Sequence, residues 1–136
     1  MFKIQKRIIY AIEAVIDIAL NSGVSPVQNI SIAKRQGIPK RYLEQTLQTL
    51  VKSKILVASR GPNGGYRLAK ERRKIMVSEI ILSVSKSSDS ELRDYYNTQI
   101  SKVLIEPLIN KVTKKSFELL NSISVEDIYK LSLIHI

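Results

Sequence analysis

Arg60-Gly61-Pro62-Asn63-Gly64-Gly65 sets one arginine at the mouth of a glycine-rich turn. Bare glycine backbone admits close approach by another backbone, and a single Arg on such a tip suits insertion into a narrow minor groove of DNA. A plain tight turn with a solvated Arg is the competing reading. Upstream, Lys40, Arg41, Tyr42, Glu44, Gln45 and Gln48 fall on one side of a segment whose apolar residues, Leu43, Leu47, Leu50 and Val51, fall on the other. Arg or Lys suits guanine, Gln suits adenine, and Glu accepts from the cytosine amino group. The Tyr42 hydroxyl can donate to a phosphate, or the ring can pack half-buried. For each residue a solvated helix face or a phosphate contact stands beside base reading, because at least half of protein–DNA hydrogen bonds go to phosphate and sugar.

Other chemistries lack their residues. The chain contains no cysteine, which removes disulfides, thiolate metal sites and cysteine nucleophiles. Its one histidine, His135, leaves no His-based zinc site or Ser-His-Asp set, and at the terminus it is expected to be disordered. The glycines do not follow G-x-G-x-x-G, and no Gly-Lys-Ser/Thr follows them, so a nucleotide phosphate loop is a poor alternative. No nucleophile–base pair or carboxylate pair suggests an enzyme.

The charge of this 136-residue chain points the same way. Its net +10 is confined: residues 1–80 hold 15 basic and 5 acidic side chains, a net of +10, whereas residues 81–136 hold 7 of each. Residues 34–74 alone hold 12 basic and 2 acidic side chains. Such a patch suits a phosphate backbone or an anionic membrane surface. A membrane-surface helix would need one basic and one continuous apolar face, and this stretch instead breaks into short elements. Residues 1–23 have the outline of an export signal, but Glu13 and Asp17 interrupt the apolar run. The two acids share one helical face, with Ile8, Ala11, Ile12, Val15, Ile16 and Ala19 opposite, so an amphipathic helix is predicted. No apolar run reaches the roughly 20 residues that span a bilayer. No membrane contact and a cytoplasmic location are expected.

The elements that must position these residues are mostly helical. Apolar spacing predicts helices over residues 4–20, 29–36 and 40–53, with Gly37 as a left-handed stop between the last two. Residues 55–59 and 66–69 read as a hairpin around the glycine-rich tip, followed by a basic linker at 70–74. Val77, Ile80, Ile81 and Val84 predict a helix over 77–85, and a polar break follows at 85–90. A helical pattern resumes at 91–106, where Pro107 is expected to interrupt it or begin a new helix. The stripe Leu108, Val112, Leu119 and Leu120 continues beyond, and Ser124 with Asp127 resembles a capping box for a last helix over 125–133. Helix–helix–turn–helix–hairpin, carrying the whole charge excess, is a winged helix-turn-helix. The fold class is mostly α with a small β-hairpin.

Tyr10-Ala11, Asp17-Ile18-Ala19-Leu20-Asn21-Ser22, Ile32-Ala33, Arg35-Gln36-Gly37-Ile38-Pro39, Tyr42-Leu43-Glu44-Gln45 and Ser59-Arg60-Gly61-Pro62-x-Gly64-Gly65-Tyr66-x-Leu68-Ala69 resemble the winged-helix regulators typified by IscR, NsrR and CymR. Among these the chain is most similar to the iron–sulfur cluster type, IscR, strongly over residues 5–85 and weakly over 107–131. The resemblance implies a homodimeric transcription regulator. Arg41, Tyr42, Glu44 and Gln45 would face the major groove and Arg60-Gly61 the minor groove. A long dimerisation helix would bury Leu108, Val112, Leu119 and Leu120 against the second subunit. The implied division is residues 1–85 as DNA-binding domain, 86–106 as linker or helix where the family carries its cluster loop, and 107–136 as dimerisation helix plus a short C-terminal helix. Cluster-binding members carry three cysteines in that loop; this chain has none, and the third would fall near Val103.

The expectation is therefore a dimeric, sequence-specific DNA-binding regulator, a repressor, with no cofactor and with an inverted repeat of double-stranded DNA as partner. The alternative is a protein-interaction adaptor that uses a winged-helix dimer without DNA, docking through the neutral 81–136 segment.

Overall fold

In a computed structural model of the chain, residues 4–85 and 95–136 are described. The centre of the fold is α1 (Lys6–Asn21). Ala11, Ala14, Val15 and Ile18 recur on one face at steps of three and four residues and are fully buried. Around α1 pack α2 (Asn29–Gln36), α3 (Lys40–Lys52), α4 (Val77–Ser85) and the C-terminal α6 (Val125–His135). The core is closed by Ile32, Leu43, Leu47, Leu50, Ile80 and Val125, each with no exposed surface. Burying a side chain of this size contributes about 1.5–3 kcal/mol.

α2 and α3 are joined as predicted. Gly37 takes φ +64°, a left-handed position, and the Ile38 N–H donates to the Ala33 carbonyl at 3.2 Å. A two-stranded antiparallel sheet follows, β1 (Leu56–Ser59) with β2 (Gly65–Leu68), in the register Leu56↔Leu68 to Ser59↔Gly65. Lys54, at φ +62°, turns the chain from α3 into the sheet.

The acidic face expected of α1 is only half correct. Asp17 is 1% exposed, buried beneath α2, where it accepts three side-chain hydrogen bonds. A carboxylate can occupy such a place only when its oxygens are satisfied by donors, and Arg35 and Gln36 supply them.

The second half of the chain departs from its sequence pattern in one place. The polar break at 85–90 lies mostly outside the described residues, as do residues 91–94. The helix read across 91–106 is not helical at 95–98. Thr98 explains the late start: its hydroxyl accepts from the Ser101 N–H at 3.1 Å, and its carbonyl accepts from the Lys102 N–H at 3.0 Å. Residues with short polar side chains compete in this way for backbone donors and start helices rather than continue them. The helical run then widens to one π-helical turn, Ser101–Ile105, in which the Glu106 N–H reaches back to the Ser101 carbonyl. α5 (Glu106–Leu120) follows without a break. Pro107 thus stands in the first turn of α5, the start of a new α-helix as expected, where its missing N–H is tolerated, and the wider π-helical turn before it accommodates the crowding of its ring.

α6 begins with the expected capping box: the Asp127 N–H donates to the Ser124 hydroxyl at 3.1 Å and the Ser124 N–H donates to the Asp127 carboxylate at 2.9 Å. It extends through His135, which is helical rather than disordered. The Val125 N–H donates to the Ile75 carbonyl and the Val77 N–H to the Ile123 carbonyl, both at 2.8 Å, so α6 is stitched to the residues entering α4. Among the described residues no helix is long and apolar enough to cross a membrane.

Candidate nucleic-acid interface

α3 is held by its buried side and leaves the other side open. Leu43, Thr46, Leu47 and Leu50 face the core. Lys40, Arg41, Tyr42, Glu44, Gln45 and Gln48 are all exposed, Tyr42 by 59%. Thr46 turns its hydroxyl onto the Tyr42 carbonyl at 2.8 Å, which satisfies a polar side chain on the buried face. The Tyr42 ring lies 6.4 Å from the Tyr10 ring of α1, and the Lys6 ammonium stands 5.8 Å from the centre of that ring. Tyr42 therefore has an aromatic neighbour along its flank and an open outer surface.

The hairpin tip is fixed by its own glycines. The Gly64 N–H donates to the Gly61 carbonyl at 2.9 Å, with Pro62 and Asn63 at the two central positions of the turn. Gly61 takes φ +102°, which disfavours any side chain. Gly64 is buried, and a β-carbon there would overlap the Ser59 carbonyl oxygen. At Gly65 a β-carbon would stand 2.5 Å from the Val27 carbonyl oxygen. These two glycines fit the chain to itself, whereas Arg60, Gly61 and Asn63 are exposed on the tip.

The wing is also tied to the front of α2. Val27 and Tyr66 exchange backbone hydrogen bonds at 2.9 and 2.8 Å, and Gln28 donates to the Pro62 carbonyl at 3.4 Å. On β2, the Arg67 guanidinium donates to the Gly23 carbonyl at 2.7 Å and to the Val24 carbonyl. The loop between α1 and α2 is thereby clamped to the wing strand. Gln28, Arg67 and the Asp17–Arg35–Gln36 cluster have no local signature: their partners lie 18 to 44 residues away in sequence. Asp17, Arg35 and Gln36 do fall inside the motif segments that carry the family resemblance.

Two basic elements, the start of α3 and the wing tip, thus belong to one scaffold. Among the described residues Lys40, Arg41 and Arg60 form no internal ion pair. Their charge is available to an anionic partner.

The iron–sulfur cluster of the resembling regulators does not fit this chain. Such clusters are held by cysteine thiolates, with histidine as the substitute. The chain has no cysteine, and among the described residues no three His, Asp or Glu side chains group as metal ligands. Val103, near the third cysteine's place, is an exposed apolar residue.

Leu108 and Leu119 of α5 are 59% and 65% exposed, Val112 is also exposed, and Leu120 is half-buried. No residue of α5 is fully buried by the described residues, which leave most of its apolar stripe open.

A model of the Rrf2 family, described as iron-dependent transcriptional regulator, matches residues 4–131. The HTH-type transcriptional regulators IscR of Escherichia coli O1:K1 and of Cronobacter sakazakii are each 44% identical over 81 residues, covering 60% of this chain and 50% of theirs. The alignment thus spans about half the length of these curated relatives. Among solved structures, IscR of T. potens superposes with a TM-score of 0.77 at 34% identity, covering 96% of this chain and 88% of that one. CymR, the global cysteine regulator of B. subtilis, superposes with a TM-score of 0.72 at 25% identity, covering 96% and 98%. With nearly its whole length matched, the chain belongs to the Rrf2 family of winged-helix transcriptional regulators.

Proposed function

We propose that the chain is a cytoplasmic, homodimeric, sequence-specific DNA-binding repressor that works without an iron–sulfur cluster. The observation that carries this reading is the joint exposure, on two elements of one scaffold, of Lys40, Arg41 and Arg60, which form no ion pair among the described residues. Lys40, Arg41, Tyr42, Glu44, Gln45 and Gln48 enter a major groove; Arg60, Gly61 and Asn63 reach the adjacent minor groove. Gly64 and Gly65 serve by shaping the tip. Residues 1–85 form the DNA-binding part and 107–136 the dimer helix with its short C-terminal companion.

Exposed Leu108, Val112 and Leu119 support a dimer through α5, since apolar side chains in a row on one helix are an interaction surface. A two-fold dimer reads an inverted repeat with half-site centres about 34 Å apart, or a multiple of that. A repressor follows if the site overlaps a promoter. Selection of bound sequences from a random duplex pool tests the reading: recovery of a two-fold symmetric site supports it. A pool that stays random, with no salt-sensitive binding, supports the adaptor instead.

A further inference from the structure

The basic linker 70–74 is one part of the charge excess that the nucleic-acid surface does not use. It forms one wall of a cavity of about 660 Å³ whose other walls are the end of α1, strand β2 and α6. No residue lining it belongs to the exposed face of α3 or to the tip 60–65. Five basic side chains line it: Arg67, Lys70, Arg72, Arg73 and Lys130.

Three of the five are neutralised. Lys70 pairs with Glu79 at 3.0 Å, Arg73 with Glu71 at 2.6 Å, and Arg72 with Glu126 at 2.8 Å. Arg72 also lies 3.6 Å from the centre of the Tyr129 ring, which fixes it against α6. The remaining two are not. Arg67 spends two of its five N–H donors, and both go to neutral carbonyls. Among the described residues Lys130 has no carboxylate within ion-pair distance. Asp127, one turn back on α6, is engaged with Ser124. Arg67 on the wing strand and Lys130 on the C-terminal helix are therefore the two cavity-lining cations without an ion pair among the described residues, although Lys130 also acts through space on the Asp127 carboxylate.

We propose that this cavity binds a small dianion, a phosphate group or a compact dicarboxylate, between Arg67 and Lys130. Two charges match the two lining cations that form no ion pair, and the N–H groups Arg67 does not spend on Gly23 and Val24 can donate to oxygens of a phosphate or carboxylate. The occupant bridges β2 and α6, so it links the wing to the helix that follows α5. In a regulator whose chain holds no cluster ligands, this gives a chemical signal a place to act; that consequence rests on the DNA-binding reading, whereas the site does not.

Calorimetric melting of the full chain without DNA, with chloride replaced by inorganic phosphate at fixed ionic strength, tests it. The melting temperature is expected to rise by several degrees and to saturate, as ligand binding to the native state requires. Lys130→Met should leave the melt in chloride unchanged, because Lys130 is exposed, and should weaken phosphate binding at least tenfold. Lys111→Met, on α5 and outside the cavity, should behave as the parent chain. A rise that never saturates, the signature of excluded kosmotropic salt, overturns the site. So does an equal rise in the Lys130 variant. Loss of duplex affinity in Lys130→Met with the phosphate response intact would assign this cation to the DNA backbone and also overturn it.

Discussion

Asp17 of α1 and Arg35 of α2 form a two-pronged ion pair, Nε to Oδ2 and Nη2 to Oδ1, each at 2.9 Å, with the carboxylate buried. Gln36 adds a third donor at 2.8 Å. The pair fixes the helix-turn-helix on its scaffold, because Arg35 and Gln36 immediately precede the Gly37 turn into α3. The hydrogen bond to Asp17 raises the Arg35 pKa above its ordinary value.

Arg35→Ala should destabilise the fold by about 2 kcal/mol, because it strands a buried carboxylate; the Arg35 side chain is 41% exposed, which keeps the cost below the 3–5 kcal/mol of a fully enclosed pair. Urea denaturation measures it. A loss under about 0.5 kcal/mol would show that water replaces the guanidinium freely.

Gly64→Ala should disable the wing although Gly64 touches no partner. The new methyl collides with the Ser59 carbonyl, which is backbone and cannot swing aside. Gly23→Ala is the matched control, since nothing lies within 4 Å of its added carbon. Duplex affinity should fall at least tenfold in the first variant and stay unchanged in the second.

The capping box predicts an acid limb. The Asp127 carboxyl is held below its ordinary value, first by the Ser124 backbone N–H and then by the Ser124 hydroxyl. A depressed carboxylate contributes stability that is complete above its unfolded value of 3.8 and is lost as pH falls through the lower folded value. The melting-temperature gap between the parent chain and Asp127→Asn should therefore be constant above about pH 5 and narrow below the unfolded value. A gap independent of pH would remove the carboxylate from the account.

Leu108→Glu together with Leu119→Glu should leave only monomer in sedimentation analysis, where the proposed dimer is expected of the parent chain, and should keep the helical circular dichroism in place, because neither residue is buried. A dimer that persists would move the interface off α5. Anaerobically purified protein should show no visible iron–sulfur absorption band; a band would mean ligands outside the set that chemistry leads one to expect.

The first 85 residues were legible because local signals agree there. Gly37 ends α2, Leu43, Leu47 and Leu50 set the phase of α3, and the glycine-rich tip separates two β-prone runs. The burial of Asp17 is not legible, since helical phase pairs it with Glu13 on the face opposite the apolar residues and its partners are 18 and 19 residues away. The start of the 99–120 helical run differs from its sequence pattern for the opposite reason. Apolar spacing continues through Tyr95 and Tyr96, but Thr98 captures the backbone donors that a continuous helix would use. The sequence alone suggests Gly64 and Gly65 as points of close approach to DNA; the packing of Ser59 against Gly64 and of Val27 against Gly65 adds a closer constraint.

The central claim is that α3 and the wing tip bind duplex DNA together. Fluorescence anisotropy with a duplex taken from the selection, at two salt concentrations, tests it most directly, using the parent chain, Arg60→Ala and Gln45→Ala. Affinity should fall steeply with salt in the parent chain as bound Lys and Arg displace counterions. Arg60→Ala should bind more weakly, and Gln45→Ala should change which base is preferred. Binding that ignores salt and both substitutions would contradict the account.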